Sequence, residues 1–194
     1  MAANTIRQFL QKKENLPNVL TFSRIAVVPL LIILLSFDGR FINFFTALLI
    51  VAAAITDGLD GYLARKYQVI TAFGKLLDPV ADKVLIVTTM VMLVFLGRAP
   101  AWMVCLILCR EFAVTGLRAV VAEQGVVIAA SPSAKYKTVF QIVAIVALTI
   151  HYPLFAINAH SVGMVFIWLA LGLTLWTGYA YFKAALPYLS ITGE

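Results

Sequence analysis

Six apolar runs dominate this chain, at about residues 19–36, 41–61, 80–97, 101–121, 137–153 and 162–182. A helix crossing a bilayer needs about 20 apolar residues, so each run is close to one span in length. Inside the hydrocarbon no water can satisfy the backbone, and a helix satisfies it internally. The expectation is an all-α integral membrane protein with six transmembrane helices, built as a single domain over residues 1–194. Composition agrees: 62% of residues are hydrophobic and 12% charged, and the mean hydropathy is +0.97. Soluble domains are roughly 45–50% apolar and about 25% charged. A cytosolic globule, a disordered tail and a nucleic-acid-binding domain are therefore excluded. Pro100 and Pro153 fall at run ends, where proline is tolerated.

Charge sets the orientation. Fifteen Lys and Arg against nine Asp and Glu give a net charge of +6. Arg7, Lys12, Lys13, Arg65, Lys66, Lys75, Lys135, Lys137 and Lys183 fall on one side of the six runs, and Arg40 and Arg98 on the other. The cation-rich side is expected to face the cytoplasm, with both termini inside. Residues 1–16 are too polar to span. Ile6, Phe9, Leu10 and Lys13 recur at i, i+3, i+4, i+7, which predicts a short N-terminal amphipathic helix in the headgroup layer, with a frayed basic tail as the alternative. The apolar run after it lacks an A-x-A-like site, so no cleavable signal is expected. Cys105 and Cys109 sit inside an apolar run, at a spacing that suggests two reduced thiols and neither a disulfide nor a metal site.

The acidic residues are distributed unevenly. Asp57, Asp60, Asp78 and Asp82 fall within residues 57–82, at the end of the second run and the start of the third. Asp57 and Asp60 are i,i+3, and Asp78 and Asp82 are i,i+4, so each pair shares a helix face. Four carboxylates brought together at two helix ends repel unless cations hold them. Hard divalent cations favour oxygen ligands, and two metals sharing such carboxylates form a clamp suited to phosphoryl chemistry. Gly61, Ala64 and Gly74 leave room for a ligand near the backbone. Three other readings exist: solvated span ends, a carboxylate-site cation transporter, and a structural membrane scaffold. The transporter predicts inverted repeats and discontinuous spans, and no repeat is visible in the sequence. The scaffold leaves mid-span charges unexplained.

Those mid-span charges are Arg110 and Glu111, about 15 Å into the fourth run at 1.5 Å per residue. An unpaired charge at that depth is costly. Glu111, Thr115 and Arg118 recur at i, i+4, i+7, so one face of this helix is polar and must look into the bundle. Glu111 is expected to hold Arg118 or Arg110. Lys135, Lys137 and Gln141 open the fifth run. Arg110, Arg118, Lys135 and Lys137 together suit a doubly charged phosphate, although Lys135 and Lys137 taken alone also fit ordinary cytoplasmic loop residues.

The arrangement D-x-x-D-G-x-x-A-R-x8-G-x3-D-x3-D, carried here by Asp57, Asp60, Gly61, Ala64, Arg65, Gly74, Asp78 and Asp82, resembles the signature of the CDP-alcohol phosphotransferases at every defined position. Three further stretches resemble the branch of that family that makes phosphatidylglycerophosphate. They are Pro17-Asn18 through Thr21 to Arg24, Arg110-Glu111 through Thr115 to Arg118, and Ala134-Lys135-Tyr136-Lys137-Thr138. The likeness covers about residues 16–141. Ser131-Pro132-Ser133 departs from the more usual apolar pair there, which bears on loop shape.

The resemblance implies a six-helix membrane enzyme. It would transfer a phosphatidyl group from CDP-diacylglycerol to an alcohol and release CMP. It implies two Mg²⁺ or Mn²⁺ ions on Asp57, Asp60, Asp78 and Asp82, with Asp82 also the general base. It puts the CDP-diacylglycerol nucleotide near Asn18, Thr21, Gly61, Arg65 and Thr71. The acceptor expected is sn-glycerol 3-phosphate, bound by Arg110, Arg118, Lys135 and Lys137; inositol phosphate is the rival, since serine carries no phosphate and calls for no such cations. A homodimer in the inner membrane, with the active site facing the cytoplasm, is the implied setting.

Overall fold

A computed structural model describes residues 16–67, 72–126, 132–154 and 157–188; its side chains are described at 26–56, 83–126, 135–154 and 157–188. The expected N-terminal amphipathic helix lies outside these residues. Six long helices are present among the described residues: α1 (Leu16–Ser36), α2 (Arg40–Tyr67), α3 (Ala72–Phe95), α4 (Ala101–Glu123), α5 (Pro132–Ile150) and α6 (Ala159–Ala185). Each contains most of one apolar run.

The helices extend beyond the runs. α2 continues to Tyr67 and α3 begins at Ala72, so most of the polar stretch at 62–78 is helical and not loop. Leu63, Ala64, Arg65 and Lys66 are good helix formers, and a helix entering the headgroup layer keeps its internal hydrogen bonds. Likewise α5 opens at Pro132, because proline suits the first helical turn, where no N–H partner is needed. Between α5 and α6 the chain makes a small antiparallel pair, β1 (Pro153–Leu154) with β2 (Ile157–Asn158), in the register Pro153↔Asn158 and Leu154↔Ile157.

The described residues form two compact units, divided between Met92 and Leu93. In the first, α1 and α2 pack against each other. Leu31 and Leu35 of α1 are buried, as are Thr46, Ala47 and Ile50 of α2. Phe41 and Phe45 remain exposed, Phe41 by 81%. Water-exposed aromatic surface of that extent is unfavourable, and a lipid environment removes the penalty.

In the second unit α6 packs along α5 and also against α4. Its inner face, Ala159, Gly163, Ile167, Ala170, Thr174, Gly178, Tyr181 and Ala185, is rich in small residues, as expected where helices associate without a hydrophobic driving force. At Gly163 an added Cβ would lie 2.6 Å from Leu148 Cγ and 3.0 Å from the Leu148 backbone nitrogen. Only glycine permits that approach. Asn158 caps α6 by accepting from the backbone N–H of His160 at 3.0 Å and of Ser161 at 3.3 Å, satisfying two donors that a helix start leaves over. Buried Arg98, in the α3–α4 connection, donates from Nη1 to the Thr149 carbonyl at 2.9 Å. A cation at that last turn complements both the spare carbonyl and the helix dipole. The segment Ala159–Tyr188 is long and apolar enough to cross a membrane. Cys105 and Cys109 are free and exposed.

Candidate active site

The family signature is split between two helices of the first unit. Asp57, Asp60, Gly61, Ala64 and Arg65 lie on the last part of α2, and Gly74, Asp78 and Asp82 on the first part of α3. The helical spacing expected for each aspartate pair is therefore present in the backbone, about 4.5 Å of rise within the first and about 6 Å within the second. Asn18 and Thr21 are in the opening turns of α1. Thr71 lies outside the described residues, and the side chains of the other signature residues lie outside the described side chains. Among the described residues no group of three or more His, Cys, Asp and Glu stands together.

The second unit holds a polar cluster in an otherwise apolar interior. Glu111 sits near the middle of α4. Its carboxylate accepts from Arg110 Nη1 at 3.2 Å and from Lys137 Nζ across the gap to α5. Lys137 is only 6% exposed, so it is not a solvated loop residue. Arg110 also reaches α6, donating from Nη2 to Thr177 Oγ1 at 2.7 Å. Its Nε is buried and has no hydrogen-bond partner among the described residues, and the same is true of Gln141 Nε2, one turn along α5 from Lys137, and of Thr174 Oγ1 on α6. A buried donor without a partner is costly, and these three atoms lie on the helices that carry the ion cluster.

Two of the four expected acceptor-binding cations, Arg110 and Lys137, thus meet on one carboxylate. Arg118 is exposed, and the guanidinium carbons of Arg110 and Arg118 each lie 6.0 Å from the ring centre of buried Tyr181, a favourable cation–π distance. Lys135 is exposed at the start of α5. Thr115 returns its hydroxyl to the Glu111 carbonyl at 2.7 Å. Sequence reasoning missed Thr174, Thr177 and Gly178. Their signal was present: with Tyr181 they recur at i, i+3, i+4, i+7, one face of small and polar residues in a run read as uniformly apolar.

A helical chain with an aspartate-rich signature on α2 and α3 and a buried cation cluster on α4 and α5 has the residue types of a membrane phosphotransferase, and the comparisons with known proteins define the family. The chain belongs to the CDP-alcohol phosphatidyltransferase family, whose sequence pattern matches residues 14–176. Members of that family are membrane proteins and generally depend on divalent cations. Among curated relatives, the CDP-diacylglycerol–glycerol-3-phosphate 3-phosphatidyltransferase of Bacillus subtilis (strain 168) is 43% identical over 181 residues, covering 87% of this chain and 94% of the relative. The protein of the same name from Rickettsia bellii (strain RML369-C) is 43% identical over 176 residues, covering 90% and 97%. A Mycobacterium tuberculosis protein named as a probable phosphatidylglycerophosphate synthase is 41% identical over 180 residues, covering 89% and 82%.

Proposed function

We infer that this chain transfers the phosphatidyl group of CDP-diacylglycerol to sn-glycerol 3-phosphate, giving phosphatidylglycerophosphate and CMP. Near-complete coverage of relatives named for that reaction supports it. The structural observation that carries the acceptor assignment is Arg110: its guanidinium is pinned by Glu111 and Thr177, in a buried cluster that also holds Lys137. Hydrogen bonds from guanidinium to phosphate are charge-assisted and strong.

In this reading Arg110, Arg118, Lys135 and Lys137 bind the acceptor phosphate. Asn18, Thr21, Gly61, Arg65 and Thr71 receive the nucleotide: Gly61 admits the pyrimidine close to the backbone, and Arg65 and Thr71 donate to phosphate oxygens. The donor set at Asp57, Asp60, Asp78 and Asp82 is all carboxylate, on two helices at ligand-sharing spacing, and fits two Mg²⁺ or Mn²⁺ ions. When bound, such ions polarise the phosphoryl group and neutralise charge on the departing CMP. Asp82 accepts the proton of the glycerol hydroxyl. That oxygen forms the new bond to the lipid-bearing phosphorus as the bond to CMP breaks. The chain acts as a single domain with six spans and an N-terminal interfacial helix, in the inner membrane as a homodimer, its site open to the cytoplasm.

The test is release of CMP from CDP-diacylglycerol in detergent micelles with glycerol 3-phosphate, inositol phosphate, glycerol and serine offered in turn. Glycerol 3-phosphate is expected to be the preferred acceptor by at least about tenfold, the effect of roughly 1.4 kcal/mol. Preference for inositol phosphate moves the chain to another branch of its family.

A further inference from the structure

The acceptor assignment rests on helices α4 and α5, yet Arg110 is held from a third side. Thr177 of α6 is 1% exposed. Its hydroxyl hydrogen is committed to backbone carbonyls one turn back, Leu173 at 2.7 Å and Thr174 at 3.2 Å. The hydroxyl oxygen therefore faces Arg110 Nη2 as an acceptor, and the 2.7 Å bond has a fixed polarity. The next residue is Gly178. A Cβ there would lie 2.9 Å from Arg110 Cγ, 3.0 Å from Nε and 3.6 Å from Cδ. All three of its nearest neighbours belong to Arg110. They are the stem and root of the guanidinium, not a flexible tip, so the side chain cannot keep this pose beside any residue larger than glycine.

We propose that Thr177 and Gly178 of α6 are positioning residues for acceptor recognition: together they fix the pose in which the Arg110 guanidinium meets the phosphorylated alcohol. Thr177 supplies the acceptor that orients Nη2, and Gly178 supplies the clearance for the stem. Neither touches substrate. The inference rests on the acceptor role given to Arg110 above, and extends the acceptor site to α6, which the sequence presents as an apolar span.

The experiment is steady-state kinetics in detergent micelles with CDP-diacylglycerol and glycerol 3-phosphate varied in turn. Thr177→Val keeps the shape and removes the hydrogen-bond acceptor; Gly178→Ala adds the single methyl that meets Arg110. Each is expected to raise the KM for glycerol 3-phosphate roughly five- to thirtyfold, a partial loss of one charge-assisted bond, with the KM for CDP-diacylglycerol unchanged. Thr177→Ser, which keeps the hydroxyl, should restore the native value. Gly172→Ala on the same helix, where an added methyl meets nothing within 4 Å, should behave as wild type. In an Arg110→Ala background, Thr177→Val should have no further effect, because residues acting through one partner are not additive. Equal rises in both KM values, failure of Thr177→Ser to rescue, or a full additional loss in the Arg110→Ala background would each overturn the proposal. If the unmodified protein uses glycerol 3-phosphate but Thr177→Val and Gly178→Ala leave its KM alone, only this inference falls. If the unmodified protein does not use glycerol 3-phosphate, the functional reading falls with it.

Discussion

In the second unit two cations, Arg110 and Lys137, share the carboxylate of Glu111, whereas the first unit's signature sets aspartate beside aspartate along α2 and α3. The contrast is instructive because both regions sit at the ends or middles of apolar helices, where isolated charge is expensive. The cation cluster contains its own counter-charge, so it can be built and kept by the protein alone. Carboxylates spaced to face each other repel, and their arrangement makes chemical sense with metal ions between them. One region is neutralised within the fold, and in the proposed reading the other is neutralised by the ions it binds.

That difference predicts different sensitivities. The largest effect should come from removing the ions: EDTA should abolish CMP release, and added Mg²⁺ or Mn²⁺ should restore it. Full activity after chelation and dialysis would mean that the aspartates stand without metal and would erase the contrast. A related loss should follow Asp82→Asn, which removes a ligand charge and the proposed base while preserving size. Turnover should fall by about 10²–10⁴-fold, the usual range for a general base, with CDP-diacylglycerol still bound; a rate above about a tenth of wild type would remove Asp82 from that role.

The cation cluster should respond more gradually and on one substrate only. Lys137→Ala, at a buried and ion-paired position, should raise the KM for glycerol 3-phosphate roughly ten- to a hundredfold. Lys135→Ala, at an exposed position, should raise it only a fewfold, since exposed ion pairs contribute roughly 0–1 kcal/mol. Reversal of that order would mean that Lys137 serves the protein's interior and Lys135 carries the recognition. The smallest effect on catalysis should be at Arg98, which donates to a backbone carbonyl of α5. Arg98→Met should lower stability by about 1.5–3 kcal/mol through loss of the bond to the Thr149 carbonyl, seen as a lower thermal midpoint in detergent with both KM values unchanged.

Much of this was legible in the sequence because hydropathy and charge are strong signals in a membrane chain. The six apolar runs located the six helices, and Arg110 with Glu111 announced a polar interior because nothing else explains charge there. The expectation that Glu111 holds Arg110 or Arg118 was right for Arg110, while its second partner is Lys137, a pairing between helices that sequence spacing does not encode. Helices α2 and α3 continue into the polar stretch at residues 62–78 because hydropathy marks the membrane boundary, whereas helices stop only when their hydrogen bonding does. The strands Pro153–Leu154 and Ile157–Asn158 are too short to have a periodicity. Thr177 and Gly178 escaped notice because threonine and glycine in an apolar span look like filler until a partner from another helix is seen against them.

The Arg110–Thr177 bond joins residues 67 positions apart, while Gly163 and Leu148 meet across a single tight connection. Contacts of these two kinds form at different times. α5 and α6 can pair as a local hairpin at little loop-closure cost, whereas the bond from Arg110 to α6 closes a much longer loop. The polar cluster on α4 is therefore complete only when α6 is in place. A chain interrupted before α6 would lack the hydroxyl that accepts from Arg110 Nη2 and would leave Arg110 with the Glu111 contact of its own helix.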